Sequence, residues 1–146
     1  MLFFITVVVL LSSVQANLYS DCGSKLATLE KVQLSGCAET AKECVFKRNS
    51  NFTLSLDFTP SKDVKVIEAE LHGVIMNMVA PFPLPQPDGC KNNGLTCPLK
   101  AGQKASYVMT LPILKSYPKV RAVAKWELKN EDHENLICIL IPLKIK

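Results

Sequence analysis

Two histidines, six cysteines and thirteen carboxylates are the groups with which this chain could do chemistry. His72 stands before Gly73 on the polar face of an alternating segment, with no second base or nucleophile beside it. His133 lies within Glu131-Asp132-His133-Glu134, a run of contiguous charges. Metal ligands must converge in space, which neighbours on one solvated turn rarely do. Glu68 and Glu70 share a strand face, ordinarily a solvated pair, and nothing beside them supports a two-carboxylate glycosidase. No GxSxG elbow, HExxH helix or phosphate-cradling glycine loop occurs. The inventory points away from an enzyme and requires neither a cofactor nor a metal.

The cysteines carry the clearer message. They stand at Cys22, Cys37, Cys44, Cys90, Cys97 and Cys138, and an even count in an exported chain implies disulfides. Export is expected from residues 1–16. Leu2 to Leu11 is apolar apart from Thr6, and Val14-Gln15-Ala16 supplies a cut after Ala16. The run falls short of the roughly 20 apolar residues that span a bilayer. No later stretch reaches that length, so a soluble exported protein is expected. Six cysteines allow fifteen pairings. Cys37 with Cys44 and Cys90 with Cys97 are close in sequence, each around a turn-like segment. Pairing them locally leaves Cys22 with Cys138, which ties the start of the domain to its end. A zinc site is the weaker reading, because no CxxC is present.

Removing residues 1–16 leaves about 130 residues, 17–146, enough for one domain with a real core. The net charge is +4 and is not gathered into a run of Lys or Arg. That argues against nucleic acid as a partner and leaves weak attraction to an anionic membrane surface.

The elements that must position these groups are strands. Phe52, Leu54, Leu56 and Phe58 alternate with Thr53, Ser55 and Asp57. From Val64 to Val74, Ile67, Ala69 and Leu71 oppose Glu68, Glu70 and His72; Val64 and Val66 break that pattern, which predicts a bulge or burial on both faces there. Val120, Ala122, Ala124, Trp126 and Leu128 form the clearest stripe. Leu136 to Ile141 is apolar on both faces, as in a central strand ending before Pro142. Turn signals separate these runs, and no apolar period of 3.6 residues persists for three turns. The expectation is an all-β fold, an immunoglobulin-like antiparallel β-sandwich of two sheets.

Between Ala80 and Cys90 proline occupies every second position from Pro81 to Pro87, holding Phe82 and Leu84 in a stiff, extended segment. It reads either as a rigid crossover capping the core or as a wall beside a cavity, and sequence physics favours the crossover. Asn51-Phe52-Thr53 is the one N-glycosylation sequon.

Cys22-Gly23-Ser24, His72-Gly73-Val74, the Pro81-to-Pro85 run into Asp88-Gly89-Cys90, Cys97-Pro98-Leu99, Leu111-Pro112, Tyr117-Pro118 and Lys125-Trp126-Glu127-Leu128 follow one another in order and spacing. Together they resemble the Niemann–Pick type C2 family of epididymal-secretory type, within the ML lipid-recognition domains. The resemblance spans essentially all of 17–146. It implies two sheets enclosing an apolar cavity for a sterol such as cholesterol, and the pairings Cys22–Cys138, Cys37–Cys44 and Cys90–Cys97. It places the ligand pocket at Phe52, Leu54, Phe82, Ile113, Tyr117, Pro118, Trp126 and Ile139. It places contact with a membrane, or with a membrane sterol transporter, at His72, Gly73, Val74 and Met76. In vertebrate members the positions of Phe52, Leu54 and Ile139 hold tyrosine, valine and tryptophan, so the pocket stays apolar with a different shape.

The function so implied is non-catalytic: a monomeric carrier, secreted or in the lysosomal lumen, that takes up a sterol and passes it on at membranes. Two other readings stand beside it, an extracellular carrier of fatty acids or semiochemicals and an innate-immunity lipid-recognition module.

Overall fold

The computed structural model describes residues 18–146, so the expected signal segment 1–16 lies outside the described residues. Nine strands and no helix occur among the described residues. They are β1 (Ser20–Asp21), β2 (Ala27–Leu34), β3 (Cys44–Phe46), β4 (Ser50–Pro60), β5 (Glu68–Ile75), β6 (Met78–Phe82), β7 (Ala105–Ile113), β8 (Arg121–Lys129) and β9 (Asn135–Ile145). One sheet has the order β1-β9-β8-β5-β6, with β3 also on β9; the other is β2-β4-β7. All pairs are antiparallel except β3 with β9, which run parallel.

Alternation places the core. Leu54, Leu56 and Phe58 of β4 are fully buried, as are Trp126 and Leu128 of β8. They meet Tyr107, Met109, Leu111 and Ile113 from β7 and Leu136, Ile137, Ile139 and Ile141 from β9. Each buried side chain of this size contributes roughly 1.5–3 kcal/mol.

Two expectations need correction. The alternating run from Val64 does not begin a strand, since β5 starts only at Glu68. Val64 pairs with Leu99 in an isolated bridge, and the Glu131 carboxylate accepts the amides of Lys65 and Val66. Val64 and Ile67 are thereby buried while Val66 is turned out, 50% exposed. Pro142 does not end the last strand either. Opposite β8, β9 is flanked by β1 at Ile139 and Leu140 and by β3 from Leu143 onward. Pro142, which has no N–H to give, falls in the gap between those two partners.

All six cysteines are paired, as Cys22–Cys138, Cys37–Cys44 and Cys90–Cys97. Each short-range disulfide sits where the chain crosses from one sheet to the other: between β2 and β3, and between β6 and β7.

The Glu131–Glu134 turn is a strap held by charge. Bonds from its own amide, then from the Lys65 and Val66 amides, hold the Glu131 carboxyl below its ordinary value. Lys62 and Asn130 do the same for Glu134. Both carboxylates thus favour folding above the usual 4.5 and lose that contribution as the pH falls through their lower folded-state values. A melting series from neutral to acidic pH is expected to show a fall in Tm that Glu131→Gln makes shallower. An equally steep fall in that variant would contradict the assignment.

Candidate functional site

The sheets separate at the end of the sandwich where β5 turns into β6 and β7 runs on toward β8. The gap is a cavity of about 200 Å³. Inward positions of four strands line it: Leu71, Gly73 and Ile75 of β5; Leu111 and Ile113 of β7; Ala122, Ala124 and Trp126 of β8; Ile141, Leu143 and Ile145 of β9. Gly73 stands opposite Ala124 in the β5–β8 register. A Cβ at Gly73 would meet nothing within 4 Å, so this small pair keeps space open between the sheets.

Aromatic pairs close the two flanks. Phe46 of β3 and Phe52 of β4 stack with centroids 5.0 Å apart. Phe82 of β6 and Tyr117 of the β7–β8 loop meet edge to face at 5.6 Å. The proline-rich segment therefore serves as cavity wall as well as crossover: Phe82 faces the gap while Leu84 packs on the core. Pro81 and the prolines after it hold that wall at the sheet edge, where no ladder amide is needed.

Of the eight residues expected in the pocket, Phe52, Phe82, Ile113, Tyr117, Pro118 and Trp126 line the cavity. Leu54 and Ile139 do not border it in this structure. Both are completely buried one layer deeper, Leu54 beyond Phe52 on β4 and Ile139 opposite Trp126 on β9. The Trp126 indole, packed edge to face on Tyr107 at 6.3 Å, fills the space between the sheets at that level and forms the cavity floor. Leu34, Phe46, Leu111 and Ala124 also line it, though sequence reasoning did not select them. Ala124 alternates with Trp126 and Leu111 with Ile113, whereas Leu34 and Phe46 lie on strands that no recognised apolar run marked.

The four rim residues are spread over β5 and its turn. Gly73 and His72 border the cavity, Val74 is half-buried and turned away from it, and Met76 is 90% exposed. Met76 and Asn77, with φ of 50° and 64°, make the two-residue turn of the β5–β6 hairpin. With Met78 and Val79 they form an exposed apolar tip.

Chemically the cavity is almost featureless. His72 touches its edge but turns its imidazole toward Glu127 on the outer face, 3.9 Å away, and partial burial pushes the Tyr117 phenol up, so it stays neutral. On the outer face, donor atoms of Glu70, His72 and Glu127 lie within 4.8 Å of one another. Lys129 Nζ sits 3.0 Å from Glu70, and Lys125 and Lys129 lie within 3.9 Å of the buried Glu127. These ammonium groups fill the position a cation would take. The cluster is a charge network across β5 and β8 that holds the Lys129 amine above its ordinary value. No free cysteine remains as a nucleophile among the described residues.

The chain's likeness to known proteins agrees with this geometry. The ML domain model matches residues 16–145. The ecdysteroid-regulated 16 kDa protein of Manduca sexta is 62% identical over 145 residues, covering 99% of each chain. The NPC intracellular cholesterol transporter 2 homolog a of Drosophila melanogaster is 41% identical, covering 88% of this chain and 86% of that one. A solved Niemann–Pick type C2 protein from the Japanese carpenter ant superposes with a TM-score of 0.84 at 36% identity, covering 88% of this chain and 98% of that one. A two-sheet all-β fold, three disulfides and an apolar gap between the sheets occur here in a chain with those relatives, and it belongs to the ML domain family as a Niemann–Pick type C2 protein.

Proposed function

We propose that this protein is a non-enzymatic carrier that holds a sterol, or a lipid of similar shape, between its sheets and exchanges it at membranes. The observation that carries the reading is the cavity itself: a gap between the sheets walled by apolar side chains. Such a site gains roughly 25 cal/mol for each Å² of apolar ligand surface removed from water. A cavity of about 200 Å³ is small beside the roughly 300–1,000 Å³ of typical ligand pockets. A fused-ring ligand must therefore spread the sheets or displace the Trp126 floor, bringing Leu54 and Ile139 into contact with it. The same small volume favours one second reading, a fatty-acid carrier, since a single acyl chain needs less opening.

Phe82→Ala tests the site. It removes one half of the Phe82–Tyr117 flank at a half-buried position, so it is expected to weaken binding of a fluorescent sterol about tenfold with little change in Tm. Unchanged affinity would remove Phe82 from the site.

Exchange at a membrane is supported by the placement of charge. The cavity end is built from residues 44–56, 71–87, 111–126 and 139–146, which include no Asp or Glu. They do include Lys47, Arg48, Lys115, Lys119, Arg121, Lys125, Lys144 and Lys146; Arg121 is paired with Glu43 and Lys125 with Glu127, and the other six leave an excess of positive charge where lipid would enter and leave. The hairpin tip adds Met76, Met78 and Val79 beside this basic rim. Co-sedimentation with anionic vesicles is expected to exceed that with neutral ones and to fall as salt shortens the Debye length from about 10 Å to about 3 Å. Equal binding to both would count against a membrane-facing basic rim. We place the carrier outside the cytoplasm, in secretions or the lysosomal lumen, because its six cysteines are all paired.

A further inference from the structure

The Trp126 indole floors the cavity, and behind it stands a polar group that the carrier function has not yet used. Trp126 lies on β8 between Leu71 of β5 and Ile139 of β9, whereas Tyr107 lies on β7 opposite Leu56 of β4. Their rings meet edge to face between the two sheets, with planes at 68°. The indole borders the cavity and the phenol does not, so Tyr107 is on the far side of the floor from the ligand space. Both side chains are fully buried. Yet neither the indole Nε1 nor the phenol oxygen has a hydrogen-bond partner among the described residues. Burial pushes the Tyr107 phenol up to about 12, a rise that the neighbouring Trp126 N–H moderates, so the two groups are close without the geometry of a bond. The phenol oxygen is free to accept, and an indole nitrogen can only donate. A buried polar atom without a partner costs free energy that a bond between the two would recover.

We infer that Tyr107 is a positioning residue that selects ligands by size: a fused-ring lipid presses the Trp126 indole back from the cavity, and the Tyr107 oxygen then accepts its N–H. The role rests on the carrier function proposed above. The movement has a direction, because the ligand bears on one side of the indole and the phenol waits on the other. The bond offsets part of the cost of displacing the floor, so it strengthens binding only of ligands that displace it. A single acyl chain needs less opening, leaves the indole in place and gains nothing from Tyr107. The apolar wall holds either lipid by the area it buries. The buried polar pair adds a contribution that responds to where the floor stands.

The experiment uses the full chain expressed in eukaryotic secretory cells, freed of lipid, with cholesterol and palmitate as probes. Trp126 is the single tryptophan of the chain, so ultraviolet resonance Raman bands of tryptophan report this indole alone. The band that senses the indole N–H should move to lower frequency on saturation with cholesterol and stay in place with palmitate. In Tyr107→Phe the cholesterol affinity should fall about tenfold, the worth of one buried hydrogen bond, and the band shift should be lost. Palmitate affinity of that variant should match wild type. Its ligand-free Tm should hold or rise, since the hydroxyl has no partner to lose. In wild type, a band that stays in place with cholesterol, or moves as far with palmitate, would overturn the inference whatever the variant does. Unchanged cholesterol affinity in Tyr107→Phe, or equal weakening of both lipids, would also overturn it and leave the carrier reading intact. Wild-type protein that binds neither lipid would overturn the carrier reading itself, and this inference with it.

Discussion

Replacing Cys22 and Cys138 together with serine should lower stability by about 4–5 kcal/mol, or roughly 15 °C in Tm. The two residues are 116 apart in sequence, so their bond removes more freedom from the unfolded chain than either short bridge does. On the chain-entropy model a closed loop of about 100 residues is worth roughly 4.7 kcal/mol, and one the length of Cys37 to Cys44 about half that. The bridge joins β1, only two residues long, to the buried Cys138 of β9. Ser24 Oγ accepts the Cys138 amide at 3.0 Å, and Asp21 Oδ1 accepts the amides of Gly23 and Ser24. Without the disulfide the N-terminal segment would keep these bonds, the two-residue β1–β9 ladder, the Cys22 amide on the Cys138 carbonyl and the buried Leu18. The matched variant Cys37→Ser with Cys44→Ser should lose about half as much. Equal losses from the two pairs, read by thermal melts under non-reducing conditions, would show that loop length is not what governs their worth.

Filling the cavity should separate stability from function in the opposite sense. Gly73→Leu places an apolar side chain where a Cβ meets nothing within 4 Å, against Ala124 across the ladder. The φ of Gly73 is not in the positive region, so any residue can adopt its backbone. Strand glycine is itself a weakness of roughly 0.5–1 kcal/mol, and the new side chain is buried without crowding its neighbours. Tm should therefore hold or rise by a few degrees. Affinity for a fluorescent sterol should fall at least about 30-fold, equivalent to 2 kcal/mol, because the leucine takes the volume the ligand needs. A variant that melts lower and binds normally would place the ligand elsewhere.

Much of this architecture is legible in local pattern. The Phe52–Phe58 and Val120–Leu128 stripes become β4 and β8 because strand alternation leaves an apolar face no other way to be buried. What local pattern misses is decided by partners distant in sequence. Pro142 continues a strand because β1 and β3 happen to divide its edge, and Val66 is turned out because Glu131 takes its amide. Glu127 sits on the polar side of its strand and is still 94% buried by residues of its own charge network. The cavity is the hardest feature to read. Leu54 and Phe52 are two steps apart on one stripe, and only the depth of the Trp126 indole decides that one lines the gap and the other does not. Charge behaves alike: no run of lysines exists in the sequence, yet four chain segments bring eight cations to one end.

The central claim is that a lipid occupies the space between the sheets. Native mass spectrometry of the secreted protein, as purified and after incubation with a sterol and with a fatty acid, tests it most directly. One bound lipid per chain is predicted, of sterol mass for the shuttle reading, present in wild type and missing in Gly73→Leu. Wild-type protein that carries no lipid and takes up neither class, or an adduct that persists unchanged in Gly73→Leu, would contradict the account.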